Sequence, residues 1–213
     1  MNRIIAFMHW CKNQPQKLMA LCCAGVLTVF AVVIAATTAI NMVGLKTGFY
    51  QQKSLNLHDF EHVGVELIND MAMVNATGDT QLIYTGNVRN IYIKCDFSVD
   101  PGEFVAFYSK ADNYAFGRHK MVYARQEDGF YVFRFPLGTR QVRIDTGVEP
   151  SIQVNFDRIN LNTSSFRDIT DINTGYLFYI MVLPVLVFSI LQTLADMTLG
   201  VLTGKKARHT AEK

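Results

Sequence analysis

The chain has 213 residues, half of them hydrophobic, with 20 Lys/Arg against 18 Asp/Glu and a formal charge of +2. That balance gives no basic field for nucleic acid, and the length allows one ordinary domain plus additional segments. The apolar residues are too unevenly distributed for a single soluble domain, because they collect in two long runs near the ends.

Residues 1–17 carry Arg3, Lys12 and Lys17 with no acid among them. Residues 18–45, "LMALCCAGVLTVFAVVIAATTAINMVGL", then run for 28 positions without a charged side chain. As a helix this run is about 42 Å long, more than the roughly 30 Å hydrocarbon core of a bilayer. It is about twice the 7–15 residues of a signal-peptide apolar region, so it reads as a retained transmembrane helix. Cys22 and Cys23 open the run rather than close it, which does not suit a lipoprotein. A second span is expected over 174–203, built on "INTGYLFYIMVLPVLVFSILQTLA" (172–195), followed by a basic tail at 204–213. Tyr176, Phe178 and Tyr179 sit where interfacial aromatics are expected. Pro184 would kink this helix, and Gly25 with the small residues at 35–39 would allow a close helix contact. Asp196 falls near the span's end, where an acid reaches water at small cost.

Between the spans, residues 49–173 hold 12 Lys/Arg and 16 Asp/Glu. The excess of basic residues at both ends places both termini in the cytoplasm and the segment 46–173 outside, under the positive-inside rule. A bacterial inner membrane with a periplasmic central domain is the expected location. Only Cys95 of the four cysteines lies in that domain, so no disulfide forms within it, and a buried strand thiol is the expectation.

Within 46–173, short β-rich runs alternate with turn signals. Strands are expected at 81–86, 89–98, 102–110, 120–126, 129–136, 140–147 and 151–161, separated by "TGD", "GN", "DPGE", "EDG", "PLG" and "TGVEP". Seven strands at this spacing predict a mainly β domain, a β-sandwich of jelly-roll type inserted between two transmembrane helices. The piece 57–71 reads as a strand or a helix. In the last strand Ile152, Val154 and Phe156 alternate with Gln153, Asn155 and Asp157. For 129–136 the inward set is Phe130 and Val132, with Phe133 or Phe135 depending on register.

Motifs for catalysis are missing. His58 and His62 are four apart, a spacing that pairs imidazoles on a helix, but "HDFEH" lacks the order of a zinc-protease motif. No metal and no cofactor is expected. There is no GxSxG, SxxK, P-loop or GxGxxG, and Glu127/Asp128 belong to the "EDG" turn. The segment 108–126 is richer. Tyr108, Tyr114, Phe116 and Tyr123 are interleaved with His119, Arg125 and other polar residues. Flat aromatic faces beside polar groups on a loop of a rigid sandwich suit a sugar, so these six are the candidate ligand-binding residues. Part of the set would equally serve the core.

The stretches "ATGDTQ", "FYS", "FPLG" and "VRIDTGVEPSIQVNFDRINL", spread over 75–161, resemble an extracytoplasmic β-sandwich module. Modules of this kind are found beside, or fused to, bacterial membrane glycosyltransferases and other proteins of surface-polysaccharide assembly. Thr146 stands where a proline is usual, and no multi-span catalytic core accompanies the module here. The resemblance implies a non-catalytic accessory protein that binds glycan or docks a membrane partner such as a glycosyltransferase. A structural subunit of a transport or secretion complex, using the sandwich for protein docking, is the alternative. Arg143 and Asp145, at i and i+2, share one face of a strand and are expected to fix a turn at a corner of the sandwich. Asn75 ("NAT") and Asn162 ("NTS") are sequons that a eukaryotic lumen would glycosylate.

Overall fold

The computed structural model describes residues 2–170 and 174–211, without the side chains of Asn2, Thr174 and 202–211. The basic side chains expected at 204–213 therefore lie outside the described residues. The chain divides into two compact units, residues 1–38 with 171–213, and residues 39–170. The described helices are α1 (Asn2–Asn13), α2 (Pro15–Lys46), a short α3 (Phe166–Thr170) and α4 (Thr174–Ala211).

In the first unit, α1 precedes the expected first span and was not foreseen as a helix. Gln14 separates it from α2, and Pro15 occupies the first helical position, where its fixed φ and missing N–H cost nothing. Cys11, Leu18, Cys22 and Ala195 are buried together, with Met8, Trp10, Phe188 and Leu191 packed around them. Gln192 Nε2 donates to the Cys11 carbonyl at 2.9 Å, and Lys12 Nζ lies 2.8 Å from Asp196 Oδ1. The acid at the end of the second apolar run thus has a cation beside it. α4 continues through Pro184. A Cβ placed on Gly25 meets nothing within 4 Å, so Gly25 makes no close helix contact. α2 and the stretch Phe166–Val201 are long and apolar enough to cross a membrane, and in sequence they flank the β domain.

The second unit is a sandwich-like pair of antiparallel sheets. Its strands are β1 (Lys53–Leu55), β2 (Glu61–Val63), β3 (Val65–Asn69), β4 (Ala72–Asn75), β5 (Gln81–Thr85), β6 (Asn90–Phe97), β7 (Val105–Ser109), β8 (Met121–Tyr123), β9 (Arg125–Glu127), β10 (Phe130–Arg134), β11 (Gln141–Asp145) and β12 (Gln153–Leu161). Sheet one runs β3-β4-β12-β6-β10-β9, with β1 also on β12; sheet two runs β2-β5-β11-β7-β8. The ambiguous 57–71 piece is a capped 3-10 turn at Leu57–Asp59 followed by β2 and β3, one strand in each sheet. Gly64, at φ 66, makes that change of sheet; its Cα hydrogen points where a side chain would strike Thr77 and Asp79.

Alternation builds the core, with one interruption. Ile91, Ile93 and Cys95 of β6 point inward, as do Leu82, Val142 and Ile144 of sheet two. Burial pushes the Cys95 thiol up to about 12, with Asp96 and Asp157 adding to the effect, which makes it an inert core group. Ile152, just before β12, and Val154 and Phe156 within it lead into the core as expected, but so do Ile159 and Leu161. Strict alternation would turn the last two outward. A register shift between Phe156 and Arg158 inserts Asp157 as a bulge and restores both to the inside. In β10 the inward residues are Tyr131 and Phe133, followed by Phe135. Phe130 and Val132, expected inside, lie on the other face, where Val132 pairs with Tyr92 and Phe130 packs edge-on against it. The "EDG" signal is a two-residue hairpin between β9 and β10, with Asp128 at φ 50 and Gly129 at φ 79, as a type I′ turn requires.

The outer face of sheet one is closed at one end by a polar cluster. Asp168, its side chain 2 % exposed, accepts from Arg134 Nε (2.9 Å), Tyr92 Oη (2.8 Å), Thr163 Oγ1 (3.0 Å) and Ser165 Oγ. Arg134 also holds Glu127 through both terminal nitrogens, and this hydrogen bonding keeps the Glu127 carboxyl below the usual carboxylate range against the opposing effect of burial. Both sequon asparagines are buried and fully engaged. Asn162 donates to the Gln51 and Asn87 carbonyls and accepts from Arg89 N; Asn75 donates to the Thr146 and Glu149 carbonyls and accepts from Thr146 Oγ1. In the folded protein they are internal struts and offer no amide for a glycan.

Replacing Asp168 by Asn leaves the part-buried Arg134 with Glu127 as its one carboxylate partner. Thermal unfolding of the full chain in detergent should show a loss of about 3 kcal/mol, roughly 6–12 °C in Tm. Lys94→Gln, which breaks only the exposed Lys94–Asp157 pair, should move Tm by no more than about 2 °C.

Candidate functional site

The outer face of sheet two is assembled by parity. On its central strand β11, Val142 and Ile144 enter the core, so Gln141, Arg143 and Asp145 point outward. The pairing extends these into cross-strand rows. Glu61, Ile83, Arg143, Phe107 and Met121 form one row, and Val63, Gln81, Asp145, Val105 and Tyr123 the next. Arg143 donates from Nε and Nη2 to the two Asp145 oxygens, at 2.8 and 2.6 Å. Its guanidinium carbon lies 4.5 Å from the Phe107 ring centre and 5.9 Å from that of Phe116. Burial pushes the Asp145 carboxyl above the usual range; the Arg143 bonds oppose this, and the nearby charges of Asp79 and Glu103 reinforce it.

The segment 110–120 folds over the upper part of this face. Ser109 Oγ donates to Asn113 Oδ1, and the Ala115 amide donates to the same oxygen. Tyr114 takes a left-handed φ of 54, donates its amide to Gln141 Oε1 at 2.9 Å and its hydroxyl to Glu61 Oε2 at 2.8 Å. Lys120 Nζ closes the loop on the Ala115 carbonyl. Gln141 is thereby 1 % exposed although it points away from the core.

Below the loop the face is open. Gly102, Glu103, Phe104, Val105, Tyr123 and Val148 line a groove of about 430 Å³. The "DPGE" turn forms one wall: Asp100 Oδ1 accepts from the Gly102 amide, Gly102 sits at φ 68, and the Pro101 carbonyl accepts from Glu103 N and Val148 N. Tyr123 is 65 % exposed on the edge strand β8. Its row partner Val105 separates it from Asp145. The groove therefore combines an exposed aromatic ring, the Glu103 carboxylate and an apolar floor.

The six candidate residues do not form one site. Phe116 lies over Arg143, Tyr114 reaches Gln141 and Glu61, and Tyr123 stands in the groove. Tyr108 has the opposite parity and packs against the core. His119 is exposed in the 3-10 turn Arg118–Lys120. Arg125 belongs to β9 in sheet one, because the expected single strand 120–126 breaks at Ala124 and its halves join different sheets. Phe107 and Glu103 were missed; Phe107 was open to discovery by parity once Tyr108 was placed inside, whereas Glu103 becomes relevant only through tertiary contact.

Arg143 and Asp145 also occupy a different place from the corner expected of them. The chain does leave sheet two directly after Asp145, but Thr146 and Asn75 hold that crossing, with Thr80 Oγ1 at 3.2 Å from Thr146 Oγ1. The ion pair lies on the outer face of the central strand. His58 and His62 do not share a helix: His58 Nε2 faces Asp70 Oδ1 and His62 Nε2 faces the Leu57 carbonyl. Among the described residues no group of three or more His, Cys, Asp or Glu is placed to hold a metal ion.

No protein-family model matches the chain, and no curated protein does. Among solved structures, one match is a new low-affinity xylan-binding module, CBM86, from the xylanolytic gut symbiont Roseburia intestinalis. It is 11 % identical, covers 52 % of this chain and 93 % of that one, and superposes with a TM-score of 0.35. A likeness of that degree transfers no ligand.

Arg143→Lys keeps the charge but loses the bidentate fork and the guanidinium's contact with the Phe107 and Phe116 rings. Amide exchange across 110–117 should accelerate by about tenfold, an opening cost lower by roughly 1.4 kcal/mol, while exchange in β6 and β12 stays unchanged.

Proposed function

We propose that the outer face of sheet two binds glycan non-covalently, in the groove beside Tyr123. The observation that carries this reading is the largely exposed Tyr123 ring set in one groove with Glu103 and the apolar side chains of Phe104, Val105 and Val148. A pyranose presents an apolar C–H face and a rim of hydroxyls, which such a ring and such acceptors complement. The groove is open, so chain ends need not be captured and internal sugars of a polymer can be bound.

The two long apolar helices support a membrane protein, and this reading puts residues 1–17 and 204–213 in the cytoplasm and 46–173 outside. A bacterial inner membrane is the setting this reading adopts, and the chain acts there as a non-catalytic participant in envelope polysaccharide or glycolipid assembly. The sequence resemblance to accessory modules of that machinery supports this role. A membrane-embedded glycosyltransferase is the partner class it implies.

The full chain in lipid nanodiscs, titrated calorimetrically with neutral oligosaccharides, should show saturable binding. Tyr123→Ala should weaken it about tenfold, the value of one aromatic stacking contact, with Tm unchanged because the ring buries little. Absence of saturable binding across neutral and acidic oligosaccharides overturns the glycan reading and leaves protein docking as the use of this face. Topology is tested separately: an alkaline phosphatase fused at residue 100 should be active and one fused at residue 210 inactive.

A further inference from the structure

Two phenylalanines of the β unit are left uncovered next to the ends of the apolar runs: Phe49 is 51 % exposed and Phe166 78 %. α2 is unbroken from Pro15 to Lys46, and Lys46 is its first charged residue after Lys17. Residues 18–38 alone cover about 31 Å, enough for the hydrocarbon core. The turns 39–46 add about 12 Å, the reach of a headgroup layer, and they belong to the β unit. That unit covers them on one side only. Asn41 Nδ2 donates to the Asp168 and Ile169 carbonyls at 3.3 and 2.8 Å, and the Tyr50 ring lies against Gly44, where a side chain would strike it. Ile40, Met42 and Val43 stay 50 %, 43 % and 59 % exposed. Gly48, at φ 75, turns the chain back, and Phe49 lines a groove of about 470 Å³ with Ile40 and Val43. Phe166 is one turn from Ile169 on α3, and it opens the second stretch apolar enough to cross a membrane. An exposed cation stands close to each ring in sequence, Lys46 before Phe49 and Arg167 after Phe166.

We infer that this end of the β unit is seated in the headgroup layer of the bilayer, with the Phe49 and Phe166 rings entering the acyl boundary and Lys46 and Arg167 at the phosphates. The inference rests on the membrane reading given above. Continuity selects lipid as the occupant, because Ile40 and Val43 belong to the same uncharged run that crosses the bilayer and Phe49 shares their groove. Asn41, between Ile40 and Val43 in sequence, grips α3 and so brings Phe166 to the level of that groove. Aromatic rings flanked by Lys or Arg at the ends of a span are the pattern of interfacial anchors. The unit then stands on end. Ser98 N donates to the Gln153 carbonyl, so Val99 lies at the far end of β12, about 27 Å from Leu161.

Tryptophan fluorescence of the full chain in liposomes tests this, in a Trp10→Phe background that removes the sole native tryptophan. The quenchers are phosphatidylcholines carrying a doxyl group near the glycerol end or near the methyl end of an acyl chain. Phe49→Trp and Phe166→Trp each exchange one exposed ring for another, so the fold is kept. Each should emit about twofold less with the glycerol-end label and change less with the methyl-end label. Leu27→Trp, at a site 52 % exposed near the middle of 18–38, should respond most to the methyl-end label. Val99→Trp, at a site 57 % exposed, should respond to neither. Loss of the Leu27→Trp response sinks the membrane reading and this inference with it. A normal response there, with none at 49 and 166, overturns the seating alone. Rings at 49 and 166 shielded from both lipid labels and from aqueous iodide also overturn it, and assign the surface to a protein partner. Quenching at Val99 equal to that at Phe166 overturns it as well, because the unit would then lie flat on the bilayer.

Discussion

The Asp168 carboxylate is the point on which the β unit closes. It is almost fully buried, and a buried charge persists only where it is paired and its remaining lone pairs are used. Arg134 supplies the charge, while Tyr92, Thr163 and Ser165 supply the other donors. The network extends from there through backbone and side chain. Asn41, in the last turns of α2, donates to the Asp168 and Ile169 carbonyls; Arg89 donates to Asn41 Oδ1, and its own amide is held by Asn162. The two points where the chain enters and leaves the β unit are thus fastened to the same sheet end. Every buried side-chain nitrogen and oxygen among the described residues finds a partner, which is the condition for such a cluster to stabilise rather than loosen a core.

That cluster was illegible in the sequence for a physical reason. "TSSFRDIT" reads as a polar connection, and nothing in it specifies that Asp168 will meet an arginine 34 residues earlier and a tyrosine 76 residues earlier. The alternation in β6, β11 and the first half of β12 was legible, because burial on one face imposes a period of two whatever the partner strand is. It failed where local geometry adds or removes a residue. The Asp157 bulge reverses parity within an apparently regular strand, and the break at Ala124 sends one apparent strand into two sheets. In the aromatic segment 108–126 composition does not carry direction: Tyr108 faces the core and its neighbour Phe107 faces out.

Arg143 and Asp145 illustrate how an ion pair serves a surface without doing chemistry. The carboxylate fixes the guanidinium over the Phe107 ring, and Phe116 of the covering loop comes to the same group. Asp145 and Phe107 thus pre-set the arginine before the loop closes, so the loop loses less conformational freedom by settling there. Tyr114, in a left-handed conformation that a tyrosine adopts at some cost, is held by its amide and its hydroxyl to two different strands.

The two outer faces consequently have different uses. On sheet one, α3 and the Asp168 network occupy the Tyr92–Arg134 end, and opening it would break the buried pairs that hold the chain's entry and exit. On sheet two the loop covers Gln141 and stops, leaving Tyr123 exposed, Asp145 partly so and Val105 buried between them. A ligand meeting that surface finds its contacts already ordered by strands on one side and the core on the other. It therefore pays little for reorganisation, but an open groove also desolvates little of the ligand. The expected outcome is weak and rapidly exchanging attachment of whatever this face binds.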